Sequence, residues 1–144
     1  MKRILAIDGG GLRGVVPAAA LAEIEERIGD RVSRYFDLIA GTSTGGLIAL
    51  GLGLGLPARR ILQFYEELGP RIFPRRRGLR ILLKGYTSSM YDLETLRRAV
   101  EEALGRRTLE DSRCRLLIPA FDIKNGRAHV WRTPHAPGTG GGDV

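Results

Sequence analysis

In the stretch FDLIAGTSTGGLIAL, residues 36 to 50, Ser43 stands between Gly41 and Gly45, with Thr42 and Thr44 on either side. A serine hydroxyl is a weak nucleophile until the fold lifts it clear of the chain and a base takes its proton. Glycines two positions before and after the serine suit a sharp strand-to-helix turn, where side chains would clash. The helix that follows directs its first N–H groups toward Ser43, which favours negative charge there. The chemistry this suggests is acyl transfer, with Ser43 attacking a carbonyl and residues 41, 42, 44 and 45 forming the elbow.

An attacked carbonyl becomes an oxyanion and needs donors. The run GGGLRG, residues 9 to 14, can supply them: Gly9, Gly10, Gly11 and Gly14 let bare backbone approach a ligand, and Arg13 adds positive charge. The same run also fits the G-x-G-x-x-G fingerprint of dinucleotide binding, which expects an acid about 20 residues on at the end of the next strand. Asp30 falls at a helix end and Asp37 inside a strand, so neither suits that role. Asp8 and Asp37 are expected to order their loops, Asp8 through amides of the glycine turn. A serine, acid, histidine order also exists in Ser43, Asp92 or Asp122, and His129 or His135. Against it, His129 falls on an expected strand and His135 in the tail.

These residues need elements to hold them. RILAI, residues 3 to 7, reads as a buried strand delivering the glycine loop at its carboxyl end. VVPAAALAEIEERIGD reads as a helix with Pro17 in its first turn, Leu21, Ile24 and Ile28 on its packed face, and Gly29 as its left-handed stop. YFDLIA is a second strand, followed from residue 44 by a helix that Gly51, Gly53 and Gly55 should end early. PARRILQFYEEL is a helix stopped by Gly69-Pro70, and LETLRRAVEEAL one capped by Asp92 and closed by Gly105. RLLIPAFD and RAHVWR are two more strands, joined at Asn125-Gly126 by a tight hairpin turn. Cys114 and Trp131 read as packing residues. The alternation implies an α/β fold, a mainly parallel sheet flanked by helices, with both glycine loops on one edge.

At 144 residues the chain is the size of one domain. Residues 1 to 135 are read as that domain and 136 to 144 as a disordered glycine-rich tail. One cysteine makes no internal disulfide, and the apolar runs are too short for a signal peptide or a bilayer span, so a cytoplasmic location is expected. The net charge is +7, and Arg71, Arg75, Arg76, Arg77, Arg80 and Lys84 fall in a stretch without acids. That stretch suits an anionic membrane surface, at about 1 kcal/mol per basic residue, or is a solvated loop. The expected partner is lipid rather than nucleic acid, with self-association through an uncovered sheet edge.

AIDGGGLRG, followed some thirty residues later by FDLIAGTSTGG and then by PAFDIKNGRAHVW, resembles the patatin-like phospholipases, lipid acyl hydrolases with a three-layer fold. The resemblance runs from residue 3 to about 135. It implies that Ser43 is the nucleophile, that Gly9, Gly10, Gly11 and Arg13 form the oxyanion loop, and that the base is an aspartate, with no histidine, metal or cofactor. In that family the aspartate belongs to a later Asp-Gly-Gly or Asp-Gly-Ala motif, and no such motif follows Ser43 in this sequence; Gly142-Asp143 has the residues reversed. The chain is therefore expected to be the amino-terminal part of a longer domain. The alternative expectation is a non-catalytic lipid-surface or partner-binding module.

Overall fold

The computed structural model describes residues 1–72 and 93–134. Four strands, β1 (Ile4–Ile7), β2 (Leu38–Gly41), β3 (Arg115–Asp122) and β4 (Arg127–Arg132), form one sheet in that order. The first three are parallel and β4 returns antiparallel beside β3. Five helices accompany them: α1 (Val15–Ile28), α2 (Val32–Tyr35), α3 (Thr44–Gly53), α4 (Ala58–Ile72) and α5 (Leu93–Leu104). A 3-10 turn, Gly11–Gly14, leads into α1. The architecture is α/β, as the alternation of patterns predicts.

Strand register sorts the side chains. Leu5, Ile39 and Leu116 are partners across the three parallel strands and face the helices, with Ile39 wholly buried. The core continues through Ile7, Ile48, Leu52 and Tyr65. On the opposite face Ile4, Phe121 and Val130 are exposed. α3 packs on β2 and β3, while α4 packs between α1 and α5.

Where expectation and structure differ, a specific contact decides. The packed face of α1 is Ala18, Leu21 and Ala22, and Ile24 and Ile28 are exposed. The helix is turned to bring Glu25 inward, where its carboxylate accepts hydrogen bonds from the N–H groups of Val32 at 2.9 Å and Ala58 at 2.7 Å and pairs with Arg31 at 3.3 Å. One carboxylate thus holds the amino ends of both α2 and α4, where N–H groups lack intrahelical acceptors. Glu25→Ala should lower the unfolding free energy by about 3 kcal/mol. A loss of under a third of that, from urea unfolding at unchanged m-value, would show that water replaces the carboxylate.

The residues before β2 form the short helix α2 rather than extending the strand. α3 runs through Gly51 and Gly53, because both lie where a Cβ would press on a neighbour, Gly51 on Ile61 and Gly53 on Ser112 and Leu116. Packing outweighs the helix penalty, and Gly55, at φ 80°, follows the end. α4 likewise passes Gly69 and Pro70 to reach Ile72, with Gly69 close to the Leu12 side chain. The β3 to β4 connection has four residues, and only Gly126 has positive φ. Asp122 builds that loop, accepting from the N–H groups of Lys124 at 2.9 Å and Asn125 at 3.3 Å and the Asn125 side-chain amide at 2.6 Å. These bonds, first among them that of the Asn125 side chain, hold the Asp122 carboxyl below its ordinary pKa.

Candidate functional site

Parallel β1 and β2 end together, with Ile7 opposite Gly41. Both glycine loops therefore emerge on one sheet edge. Only Thr42 and Ser43 separate the end of β2 from the start of α3. Ser43 takes φ 52° and ψ −122°, the one positive φ of any non-glycine among the described residues. Such a backbone costs about 1–3 kcal/mol and persists where the surroundings force it.

Here the surroundings are specific. The Thr42 N–H donates to the Ile7 carbonyl at 3.2 Å, fastening the elbow to the end of β1. The Gly46 N–H donates to the carbonyls of Thr42 at 3.3 Å and Ser43 at 3.0 Å, and Leu47 N–H to Ser43 at 3.3 Å. A Cβ on Gly41 would overlap the backbone of Gly45, and one on Gly45 would overlap the Ile7 carbonyl. The glycines bracketing Ser43 are thus the points where α3 touches β2 and β1. Thr44 and Gly45 open the helix, so their N–H groups lack intrahelical acceptors and lie beside the exposed Ser43.

The loop after β1 is tied to the elbow by threonine hydroxyls. Gly9 N–H donates to Thr42 Oγ1 and Gly10 N–H to Thr44 Oγ1, each at 3.1 Å. A Cβ on Gly9 would lie 2.8 Å from Ser43 Cβ and 3.5 Å from its Oγ, so bare backbone faces the serine. The amides of residues 9 and 10 are engaged by threonines, not by Asp8, whose side chain is exposed. The Gly11 and Leu12 amides open the 3-10 turn, where helical acceptors are missing. Arg13 closes that turn through its N–H to the Gly10 carbonyl at 3.1 Å, and its exposed side chain runs along Gly10. Gly14 lies against the Tyr65 ring.

Tyr65 is the residue that pattern reading passes over, as one apolar position on α4. It is 2% exposed, and its hydroxyl donates to the Thr44 carbonyl at 2.9 Å, bracing the first turn of α3 from behind. The available signal was chemical: a phenol on a buried stripe needs a hydrogen-bond partner. Burial pushes its pKa up to about 12, against a smaller opposing effect of the bond to Thr44. The raised value gives stability that is complete below pH 10 and is lost as pH climbs through 12. Tyr65→Phe should cost about 1 kcal/mol at pH 7. Wild type should then lose on the order of 2 kcal/mol between pH 10 and 12 relative to the variant, reversing their order. Parallel curves in urea unfolding over that range would contradict it.

Asp37 performs the ordering role expected of it, accepting from Lys2 Nζ and Arg3 N–H, both at 2.9 Å. The Arg3 amide, then Lys2, holds its pKa below the ordinary value. Cys114 is buried, which raises its thiol pKa. Asp122 is committed to its loop, and the exposed His129 stands on edge strand β4 with its ring 4.5 Å from that of Trp131. Trp131 is itself 56% exposed, so its packing is with His129 at the surface. Among the described residues no carboxylate or imidazole bonds to the Ser43 hydroxyl, and no cluster of metal-ligating side chains occurs. Asp92, His135, Asp143, Arg75, Arg76, Arg77, Arg80, Lys84 and residues 136–144 lie outside the described residues, and Arg71 is in the last turn of α4. No helix among the described residues is long and apolar enough to cross a membrane.

Fold and site together define an α/β domain that presents a serine on a strained strand-to-helix elbow, facing a glycine loop. The chain belongs to the patatin-like phospholipase family, whose profile matches residues 5–140. It is 40% identical over 134 residues to a cGAMP-activated phospholipase of Pseudomonas aeruginosa, covering 93% of this chain and 40% of that protein. A cGAMP-activated phospholipase of Vibrio cholerae is 38% identical, with 94% and 42% covered. Patatin-like protein 1 of Oryza sativa subsp. indica is 39% identical, with 84% and 33% covered. The chain spans about two-fifths of the length of the bacterial relatives and a third of that of the rice protein.

Proposed function

We propose that Ser43 is the nucleophile of a serine acyl hydrolase that cleaves acyl esters of phospholipids or related lipids. The observation that carries this reading is the positive φ of Ser43, held between two glycines that admit no Cβ. The hydroxyl attacks the ester carbonyl, and charge on the carbonyl oxygen is met by amides of the two loops, those of Gly11, Thr44 and Gly45 being the ones at helix starts. Arg13 adds positive charge at the same edge. A carboxylate is the expected proton acceptor; it returns the proton to the alcohol as the ester C–O bond breaks, and water then hydrolyses the acyl-serine to free the fatty acid and Ser43. Full activity belongs to a protein that also brings this base to Ser43. The chemistry needs no metal or cofactor.

The charge of +7 supports action at an anionic lipid surface, as a cytoplasmic protein that attaches peripherally. Exposed Ile4, Phe121 and Val130 support self-association across the open sheet face, which light scattering would register. The test of the nucleophile is incubation with a fluorophosphonate, followed by intact mass and peptide mapping. One adduct on Ser43 is expected. An adduct carried by another residue in place of Ser43 would remove Ser43 from the role; a folded chain with no adduct would assign the activity to a longer form that supplies the base.

A further inference from the structure

β3 is longer than the strands it joins. Ala40 lies opposite Leu117, so Ile118 is level with Gly41, the last residue of β2, and the Ile118 side chain lies 3.3 Å from where a Cβ on Gly46 of α3 would stand. Residues 119–122 continue past that level, paired with β4 alone. At about 3.3 Å per residue they carry the β3 to β4 turn about 13 Å beyond the sheet edge on which the Ser43 elbow stands. Asp122, the one acid of this hairpin, spends its carboxylate on the N–H groups of Lys124 and Asn125 and on the Asn125 side-chain amide. Around this fixed turn Phe121 is 64% and Ile123 89% exposed, next to the exposed cations Lys124 and Arg127. Neither cation forms an ion pair among the described residues.

From this we infer that the β3 to β4 turn docks the chain on an anionic lipid surface, with Phe121 and Ile123 entering the acyl boundary and Lys124 and Arg127 meeting the phosphates. Large apolar side chains at a turn lose contact with water there, while the long basic ones keep their charged ends at the headgroups. That the partner is lipid rests on the acyl hydrolase reading; the projecting apolar and basic turn does not. Penetration by about 5–10 Å, the depth usual for interfacial elements, brings the edge that carries Ser43 close to the headgroups. The rival occupant is a second copy of the chain, which on the open sheet face would cover Phe121 and Val130. Ile123, in the turn itself, separates the two.

The experiment is co-sedimentation of the full chain with vesicles of phosphatidylcholine, with and without phosphatidylserine. Ile123→Ser should weaken binding about tenfold. Lys124→Gln and Arg127→Gln should each weaken it about fivefold, on the anionic vesicles only and less so in high salt. Ile28→Ser, at the carboxyl end of α1 on the opposite sheet edge, should bind as wild type does. Trp131 is the only tryptophan, so Ile123→Trp in a Trp131→Phe background gives a single depth probe. Brominated phosphatidylcholine in the anionic vesicles should quench it, and should not quench Ile28→Trp in the same background. No vesicle binding, undiminished binding by all three turn variants with wild-type circular dichroism, or an unquenched probe at position 123 would overturn the inference. A change of oligomeric state in Ile123→Ser without vesicle binding would give the turn to a second copy instead. Fluorophosphonate labelling of Ser43 without vesicle binding would sink the docking surface and keep the nucleophile; quenched, turn-dependent binding with the adduct on another residue would do the reverse.

Discussion

A single methyl group added at position 45 is expected to abolish the fluorophosphonate reaction at Ser43 and to lower the unfolding free energy by about 3 kcal/mol or more. In Gly45→Ala the new Cβ would overlap the Ile7 carbonyl oxygen and lie 2.8 Å from that of Asp8. Both are backbone atoms at the end of β1, so no rotamer change relieves the contact. Either α3 moves off the sheet or β1 does, and both separate the Ser43 elbow from the glycine loop. Gly29→Ala is the matched control. That position has φ 65° but nothing within 4 Å of an added Cβ, so only the left-handed backbone penalty of about 1–2 kcal/mol applies, and labelling should persist. Urea unfolding at unchanged m-value gives the stability difference, and labelling rate the effect on the site. If Gly45→Ala labelled at the wild-type rate, the close contact of α3 with β1 would not be what shapes the elbow.

The control also shows what a sequence can disclose. Gly29 and Gly105 act locally as helix stops, with φ near 65°, and patterning found both without the fold. Gly41, Gly45 and Gly14 are needed because of atoms far away in sequence: the strand and helix backbones around the elbow for two of them, and the Tyr65 ring for the third. The G-x-S-x-G spacing pointed to the first pair, whereas nothing near Gly14 points to Tyr65. β3 and β4 were legible to the residue, because their apolar runs are bounded by turn formers. The packed face of α1 was misplaced, because hydrophobic periodicity favours Ile24 and Ile28, while the element ends that Glu25 holds lie elsewhere in the chain. Long-range polar contacts between chain segments are what periodicity does not encode. At the site, the residue types and their edge were legible; the threonine hydroxyls between the loops were not.

Those hydroxyls carry the second large effect. Thr44→Val should slow fluorophosphonate labelling by about 10- to 100-fold and lower stability by about 1–3 kcal/mol, while Thr44→Ser should stay close to wild type. Valine keeps the shape of the side chain but removes the acceptor of the Gly10 N–H, at a residue only 4% exposed. The amide is left without its partner, and the glycine loop shifts to find another. Because Gly9 backbone lies against the Ser43 side chain, that shift changes the surface an attacked carbonyl would meet. Thr42→Val makes the parallel change at an exposed residue, where water can take over the Gly9 N–H, so its effect should be several times smaller. The ordering is the test. Equal effects would mean that the hydroxyls matter only as local polar groups. The predicted order would make burial of Thr44, set by α3 and braced by Tyr65, the cause of loop position, linking the core directly to the reactivity of Ser43.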